Sequence, residues 1–214
     1  MAVKTHNVSF ALTRQARGVL VFPGGILPRM TIRGDAGQAE LLRAEFRGPV
    51  PEVEEHDGTV TITYRQTPII GGLLHPPRPA EITLNTSIPW RIQVRGGAGN
   101  VVADLREVTL EGLEMEGGTS DLELTLGRPN GTIPLHITKG LSDVSVLRPD
   151  GVPVRLHVAG GVSDLVIDRQ EFGAVGHGMQ WETPGYEQAT SKYDIHASGG
   201  VSDLSVRTFK GGGE

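Results

Sequence analysis

The heptapeptide GLSDVSV at residues 140–146 decides the fold, because the chain repeats it with few changes. Close copies are GTSDLEL from Gly118, GVSDLVI from Gly161 and GVSDLSV from Gly200. A weaker copy, GGAGNVV, surrounds Asn100. Repetition of one short phrase indicates that one structural unit is repeated along the chain.

Each copy contains one reference residue, an aspartate in the four strong copies and an asparagine in the weak one. The intervals between successive reference residues are 21, 22, 21 and 39 residues. A period of this size is typical of a solenoid. The reference residues are Asn100, Asp121, Asp143, Asp164 and Asp203.

The residues beside each reference position alternate in character. The first and third residues after it are apolar in every copy, as in Leu122 and Leu124, and a second strand with two apolar columns precedes it, as in Leu113 and Met115. Such alternation indicates half-buried strands. A unit of this length cannot bury its apolar columns alone, so successive units must stack. The sequence therefore predicts an all-β fold, a parallel β-helix (β-solenoid) with coils of about 21–22 residues.

A glycine stands three positions before each reference residue. We expect this glycine column to form the corner between two strands, where a positive φ or a close backbone approach excludes other residues. The column consists of Gly97, Gly118, Gly140, Gly161 and Gly200.

The whole chain is predicted to form one β-solenoid domain over residues 1–209, with more irregular coils in 1–95, regular repeats in 96–209 and a disordered tail at 210–214. Upstream strand candidates are GVLVF, RMTI, ELLRAEF, TVTITY and EITL. Residues 168–192 fit either an extra coil, with GMQWET as a strand, or one coil with a long loop.

The run from Ser87 to Gly140, with its recurrent Gly-Gly-x-Ser-Asp corner followed by alternating apolar residues, resembles bacterial toast-rack and putative-adhesin β-solenoid domains. These domains occur in uncharacterised proteins and in the C-terminal part of membrane proteins that regulate cell-envelope stress responses. The resemblance covers roughly residues 18–208. It implies a β-solenoid and supplies no catalytic residue.

Composition excludes several classes of function. The net charge is −5 and there is no block of lysine and arginine, so nucleic acid is not an expected partner. The chain has no cysteine, which removes disulfides, thiolate metal sites and cysteine nucleophiles. No run approaches the ~20 apolar residues of a membrane helix. We therefore expect no direct membrane insertion and, if the chain is full length, a cytoplasmic location.

An outward column of the first strand carries one acidic residue and three histidines. Neighbouring rungs of a parallel sheet lie about 4.8 Å apart. His136 and His157 are expected on adjacent rungs, with His196 one rung further away. Imidazoles in a row could share a transition metal, but solvent-facing residues that recur with the repeat are the favoured interpretation. The column consists of Glu114, His136, His157 and His196.

The reference aspartates form a second row, with a serine before each. Stacked carboxylates repel one another, so calcium or local backbone N–H donors must compensate. Backbone N–H donation in an Asx-type turn is the favoured interpretation. We therefore predict that the chain has no metal site and binds no cofactor. The low-ranked metal candidates are the three histidines together with Asp121, Asp143, Asp164 and Asp203.

No enzyme motif emerges from these residues. Histidine and the Ser-Asp pair stand seven positions apart across a corner, so they should diverge instead of forming a triad. Trp90 and Tyr193 are expected in the core, whereas Trp181 could line an exposed rim.

The apolar stretch between the prolines of residues 67–79 either caps a solenoid end or docks on another subunit. The interface candidates are Ile69, Ile70, Leu73 and Leu74. The predicted function is a non-enzymatic β-solenoid scaffold for protein binding or self-assembly, with the protein itself as a candidate partner. The alternative is a ligand- or metal-sensing regulatory domain of a cell-envelope response system.

Overall fold

The computed structural model describes residues 5–48, 50–64 and 79–210. These residues form twenty strands and contain no helix. None of them therefore forms a helix long and apolar enough to span a membrane. The strands are β1 (Thr5–Ala11), β2 (Gly18–Phe22), β3 (Ile26–Leu27), β4 (Met30–Asp35), β5 (Glu40–Arg47), β6 (Glu52–His56), β7 (Thr59–Thr63), β8 (Ala80–Asn85), β9 (Trp90–Val94), β10 (Gly97–Leu105), β11 (Leu110–Met115), β12 (Thr119–Leu126), β13 (Thr132–Ile137), β14 (Leu141–Pro149), β15 (Val154–Val158), β16 (Val162–Ile167), β17 (Gln170–Val175), β18 (Met179–Glu182), β19 (Lys192–Ala197) and β20 (Val201–Phe209).

The strands form two sheets with one apolar core between them. The larger sheet has the order β1-β5-β8-β4-β10-β12-β14-β20-β16-β17, and the short β3 also pairs with β10. The smaller sheet has the order β18-β15-β19-β13-β11-β9-β2-β7-β6.

The described residues form seven coils, and each coil takes one strand from the smaller sheet and then one from the larger. Neighbouring coils pair in parallel in both sheets. The predicted all-β solenoid is therefore confirmed. In chain order, the coils are coil 1 (β2, β4), coil 2 (β7, β8), coil 3 (β9, β10), coil 4 (β11, β12), coil 5 (β13, β14), coil 6 (β15, β16) and coil 7 (β19, β20).

The apolar columns of the repeat fill the core, as predicted. The residues that follow the reference positions pair directly with one another on successive strands of the larger sheet, and none is more than 3% exposed. Stacking identical positions removes the apolar side chains of every coil from water together. In spatial order, these residues are Val101, Leu122, Val144, Leu204 and Leu165.

The stacking order of the coils differs from the chain order, which the sequence did not predict. Both sheets place the coils in the order 2, 1, 3, 4, 5, 7, 6. The expectation that each coil lies on the preceding one is therefore wrong at both ends. At the C-terminal end, coil 7 lies between coils 5 and 6 because β20 pairs with both β14 and β16.

A reversed pair of strands covers each end of the stack. At one end β5 and β6 run antiparallel to β8 and β7, with β1 outside β5. At the other end β17 and β18 run antiparallel to β16 and β15. The GMQWET strand is thus confirmed as β18. Residues 168–192 contain this reversed pair, instead of a further parallel coil or a single long loop.

The constrained corner glycine lies one position earlier than predicted. At Gly118 an added Cβ would lie 3.5 Å from the nearest atom, the carbonyl oxygen of Gly140, which is an ordinary contact. At Gly117, by contrast, the Cβ would overlap the carbonyl oxygen of Gly96 in the neighbouring coil. Lys139, at the equivalent position, has a φ of 74°. The residue four positions before the reference therefore carries the constraint, because stacked corners approach there through their backbones.

Candidate functional site

The three histidines form a continuous row on the outer face of the smaller sheet. His196 lies between His136 and His157, so the expectation that His136 and His157 are neighbours is wrong. The insertion of coil 7 between coils 5 and 6 causes this order. The rings of His136 and His196 stack with centroids 5.2 Å apart, and His157 meets His196 edge-on at 5.5 Å.

Charged and polar groups flank this histidine row. Glu114 pairs in register with His136, but its carboxylate already accepts hydrogen bonds from Gln93 at 2.9 Å and Arg91 at 3.3 Å. Asp194 Oδ1 lies 3.3 Å from His196 Nε2, an ion-pair distance when the imidazole is protonated. No group of three or more His, Asp or Glu side chains in the described ranges is arranged to hold a metal ion.

The reference aspartates form a row on the outer face of the larger sheet. The spatial order is Asp121, Asp143, Asp203 and then Asp164, which repeats the coil order. A side-chain hydrogen bond to Asp203 raises the pKa of Asp143, and desolvation and the charges of Asp203 and Asp121 act in the same direction. The neighbouring carboxylates of the row thus make Asp143 easier to protonate than an isolated aspartate. These residues line a shallow depression of about 300 Å³.

The preferred interpretation of an Asx-type turn for the aspartates is wrong. No backbone N–H donates to any of the four carboxylates in the described part of the chain. The reason is that the strands continue through this position: Asp121 lies inside β12 and pairs with Asp143 inside β14. The backbone groups there are used in the parallel ladder instead of a local turn.

The histidine and Ser-Asp rows do not meet. Histidines lie on the smaller sheet and the Ser-Asp pairs on the larger sheet, and both rows point away from the shared core. The prediction that they diverge is confirmed. Each outer face therefore offers a flat polar row on which a partner could lie.

Comparison with known proteins places the fold within a family. Residues 30–147, more than half of the chain, match the family described as the N-terminal domain of toast_rack, DUF2154. The chain belongs to this family. The family resemblance that the sequence indicated is thereby confirmed.

A solved structure supports the same fold for the toast-rack chain. The crystal structure of a putative cell adhesion protein from Clostridium sporogenes matches with a TM-score of 0.78 and 18% sequence identity. The match covers 97% of this chain and all of the other. At this identity the likeness establishes the fold alone. A comparison with curated proteins gave no match.

The aromatic residues lie largely where the sequence placed them. Trp90 and Tyr193 are buried, as expected, and each donates a hydrogen bond to a backbone carbonyl: the Trp90 indole to Asn85 at 2.7 Å and the Tyr193 hydroxyl to Gly127 at 2.9 Å. Trp181 is half-buried on β18 and lines an open depression of about 690 Å³ at a corner of the toast-rack solenoid.

An ion pair between a buried arginine and a half-buried aspartate lies beside this corner depression, and the sequence patterns missed it. Arg148 is only 3% exposed, and its guanidinium donates to Asp168 at 2.7 Å and to the Val152 carbonyl at 2.8 Å. Burial lowers the pKa of Arg148, and the charge of Asp168 opposes this change. The alternation predicts that the side chain at position 148 points inward, as at Val144 and Val146. A charged residue at an inward position was therefore the signal in the sequence that could have indicated the ion pair.

The predicted interface candidates Ile69, Ile70, Leu73 and Leu74 lie outside the described residues. They stay a prediction from the sequence. The described residues instead offer the two outer faces and the edges of the sheets as candidate interaction surfaces.

Proposed function

We propose that this toast-rack chain is a non-enzymatic scaffold that binds protein, and that another copy of the chain is one of its partners. The observation that carries the proposal is the reversed strand pair at each end of the stack. A solenoid that ended in parallel coils would add further copies head to tail, because the strands of one end could continue the parallel ladders of the other. Reversed end strands favour a small closed assembly over a filament.

The arrangement of polar residues supports a role without catalysis. Histidines and Ser-Asp pairs occupy opposite outer faces, so in the described residues no imidazole lies beside a serine of the repeat. The charge of the buried Arg148 is balanced by the half-buried Asp168. The Clostridium protein, described as a putative cell adhesion protein, supports binding as the function.

Sedimentation equilibrium of the full 214-residue chain tests the proposal. We expect the mean mass to rise with protein concentration from the 22.8 kDa monomer and to reach a plateau at a small multiple of that mass. A single 22.8 kDa species at every concentration would exclude self-association. A mass that rises without a plateau, with fibres in electron micrographs, would exclude the closed form.

A further inference from the structure

Within the described residues, four strands lie at the edges of the two sheets. These are β1 and β17 in the larger sheet and β6 and β18 in the smaller sheet. An edge strand presents a row of unpaired N–H and C=O groups on which a further strand can add. The edges differ in how well they are protected against such addition.

Three of the edges carry features that oppose pairing. β6 contains Glu52, Glu54 and Glu55, so a second β6 would bring like charges together. β17 pairs with β16 through two register shifts, and such irregularities disrupt the regular spacing that an added strand needs. β18 has only four residues, and Pro184 follows two positions after its end.

The edge strand β1 carries none of these features. It has the sequence THNVSFA, without Lys, Arg, Asp, Glu, Gly or Pro. It pairs with β5 in continuous register from Thr5 to Phe10, and the single shift comes at its last residue. No strand in the described ranges pairs with its other side. β1 is therefore a long, regular and uncharged edge.

The side chains of β1 are complementary to those of a second β1 in antiparallel orientation. His6, Val8 and Phe10 are half-buried on one face, and the residues between them are exposed on the other. With Val8 opposite Val8, His6 lies opposite Phe10 on the half-buried face and Asn7 opposite Ser9 on the exposed face. This register pairs all seven residues of both strands, keeps the two kinds of side chain on separate faces and brings no charges together.

We infer that β1 is the self-association edge of the toast-rack chain, and that a second copy adds its own β1 antiparallel with Val8 on the twofold axis. The inference rests on the proposed self-association and names its site and partner. Such pairing joins two eleven-stranded sheets into one. Because each copy has one edge of this kind, the assembly closes as a dimer.

Charge variants at two exposed positions test the site and the register. In Asn7→Lys/Ser9→Lys, each new lysine faces a lysine of the other copy, so we expect the dimer dissociation constant to increase by about tenfold or more. In Asn7→Glu/Ser9→Glu, the glutamates repel in the same way. Mixing the two variants places lysine opposite glutamate at both positions, so we expect a heterodimer to form at concentrations where each variant alone is monomeric.

The charge-matched control is Gln170→Lys/Gln188→Lys, which adds two lysines at exposed positions away from β1 and should leave the dimer unchanged. Sedimentation of the full chains and of the mixture supplies the masses, and thermal melting verifies that all variants are folded. A native dimer that persists in both β1 variants would overturn the inference and leave the proposed function intact. A native chain that stays monomeric would overturn the proposed self-association as well.

Discussion

At the scale of single residues, the closest approach between neighbouring coils gives a sharp prediction. In Gly117→Ala the new methyl group would overlap the carbonyl oxygen of Gly96, and a backbone atom cannot move aside as a side chain can. We expect the free energy of unfolding to fall by about 1–3 kcal/mol, as for other overpacked sites. Urea denaturation monitored by circular dichroism measures the change.

The neighbouring glycine supplies the control for this prediction. In Gly118→Ala the methyl group would lie 3.5 Å from the nearest atom. We therefore expect a much smaller loss in the free energy of unfolding than for Gly117→Ala. Equal losses of unfolding free energy in the two variants would contradict this assignment, because the corner would then constrain both glycines alike.

The sequence predicts which side chains enter the core better than it predicts the corner. Alternation identifies inward residues such as Leu122 and Val144 directly, because strand side chains alternate with a period of two. The corner was misplaced because Lys139 interrupts the column that contains Gly117. Lys139 adopts a positive φ there, a conformation that glycine adopts more readily, and no residue pattern reveals this.

At the scale of strands and coils, one ion pair joins elements on both sides of the inserted coil. Arg148 belongs to coil 5 and Asp168 follows coil 6, so their 2.7 Å hydrogen bond connects coils that are two positions apart in the stack. Asp168→Asn removes the charge partner of a buried guanidinium while keeping a side chain that tolerates the φ of 53°. We expect a loss of about 1–3 kcal/mol in the free energy of unfolding by urea denaturation.

A solvent-exposed aspartate–arginine pair is the matched comparison for Asp168→Asn. Asp104 and Arg106 also form a close ion pair, but their side chains are 40% and 58% exposed. Asp104→Asn should therefore lower the free energy of unfolding by at most about 1 kcal/mol. If the two substitutions lower the free energy of unfolding equally, burial of Arg148 does not strengthen its ion pair. The connection across coil 7 would then not be important for stability.

Many strand positions were readable from the sequence, but β1, β6 and β17 were not predicted, and neither were the directions of the strands. GMQWET and ELLRAEF were both identified as strands, and both lie in the reversed pairs that cap the ends. Parallel and antiparallel strands share the same alternation of side chains, so a repeat pattern cannot show where the chain reverses. The reversal is nevertheless the feature that determines which edges remain available.

At the scale of the whole molecule, the similarity of the repeats explains why the stacking order could not be predicted. Coils 6 and 7 carry the same Gly-x-Ser-Asp phrase and the same apolar columns, so either could lie on coil 5. Only the cap strands between them, β17 and β18, break this equivalence. These two strands pair with the outer edges of coil 6. The chain then continues into coil 7, which pairs with coil 5 on one side and with coil 6 on the other.

The stacking order predicts an unusual result for a C-terminal truncation. In a solenoid stacked in chain order, removing the last coil would leave all the earlier coils in contact. Here, a chain that ends at Ser191 lacks β19 and β20, the strands that join β15 and β16 to β13 and β14. We expect hydrogen–deuterium exchange to show unprotected amides in β15 and β16 and continued protection in β11 and β12, relative to the full chain. Protection of β15 and β16 at the level of the full chain would mean that coil 6 can pair directly with coil 5, and that the stacking order is interchangeable between the two repeats.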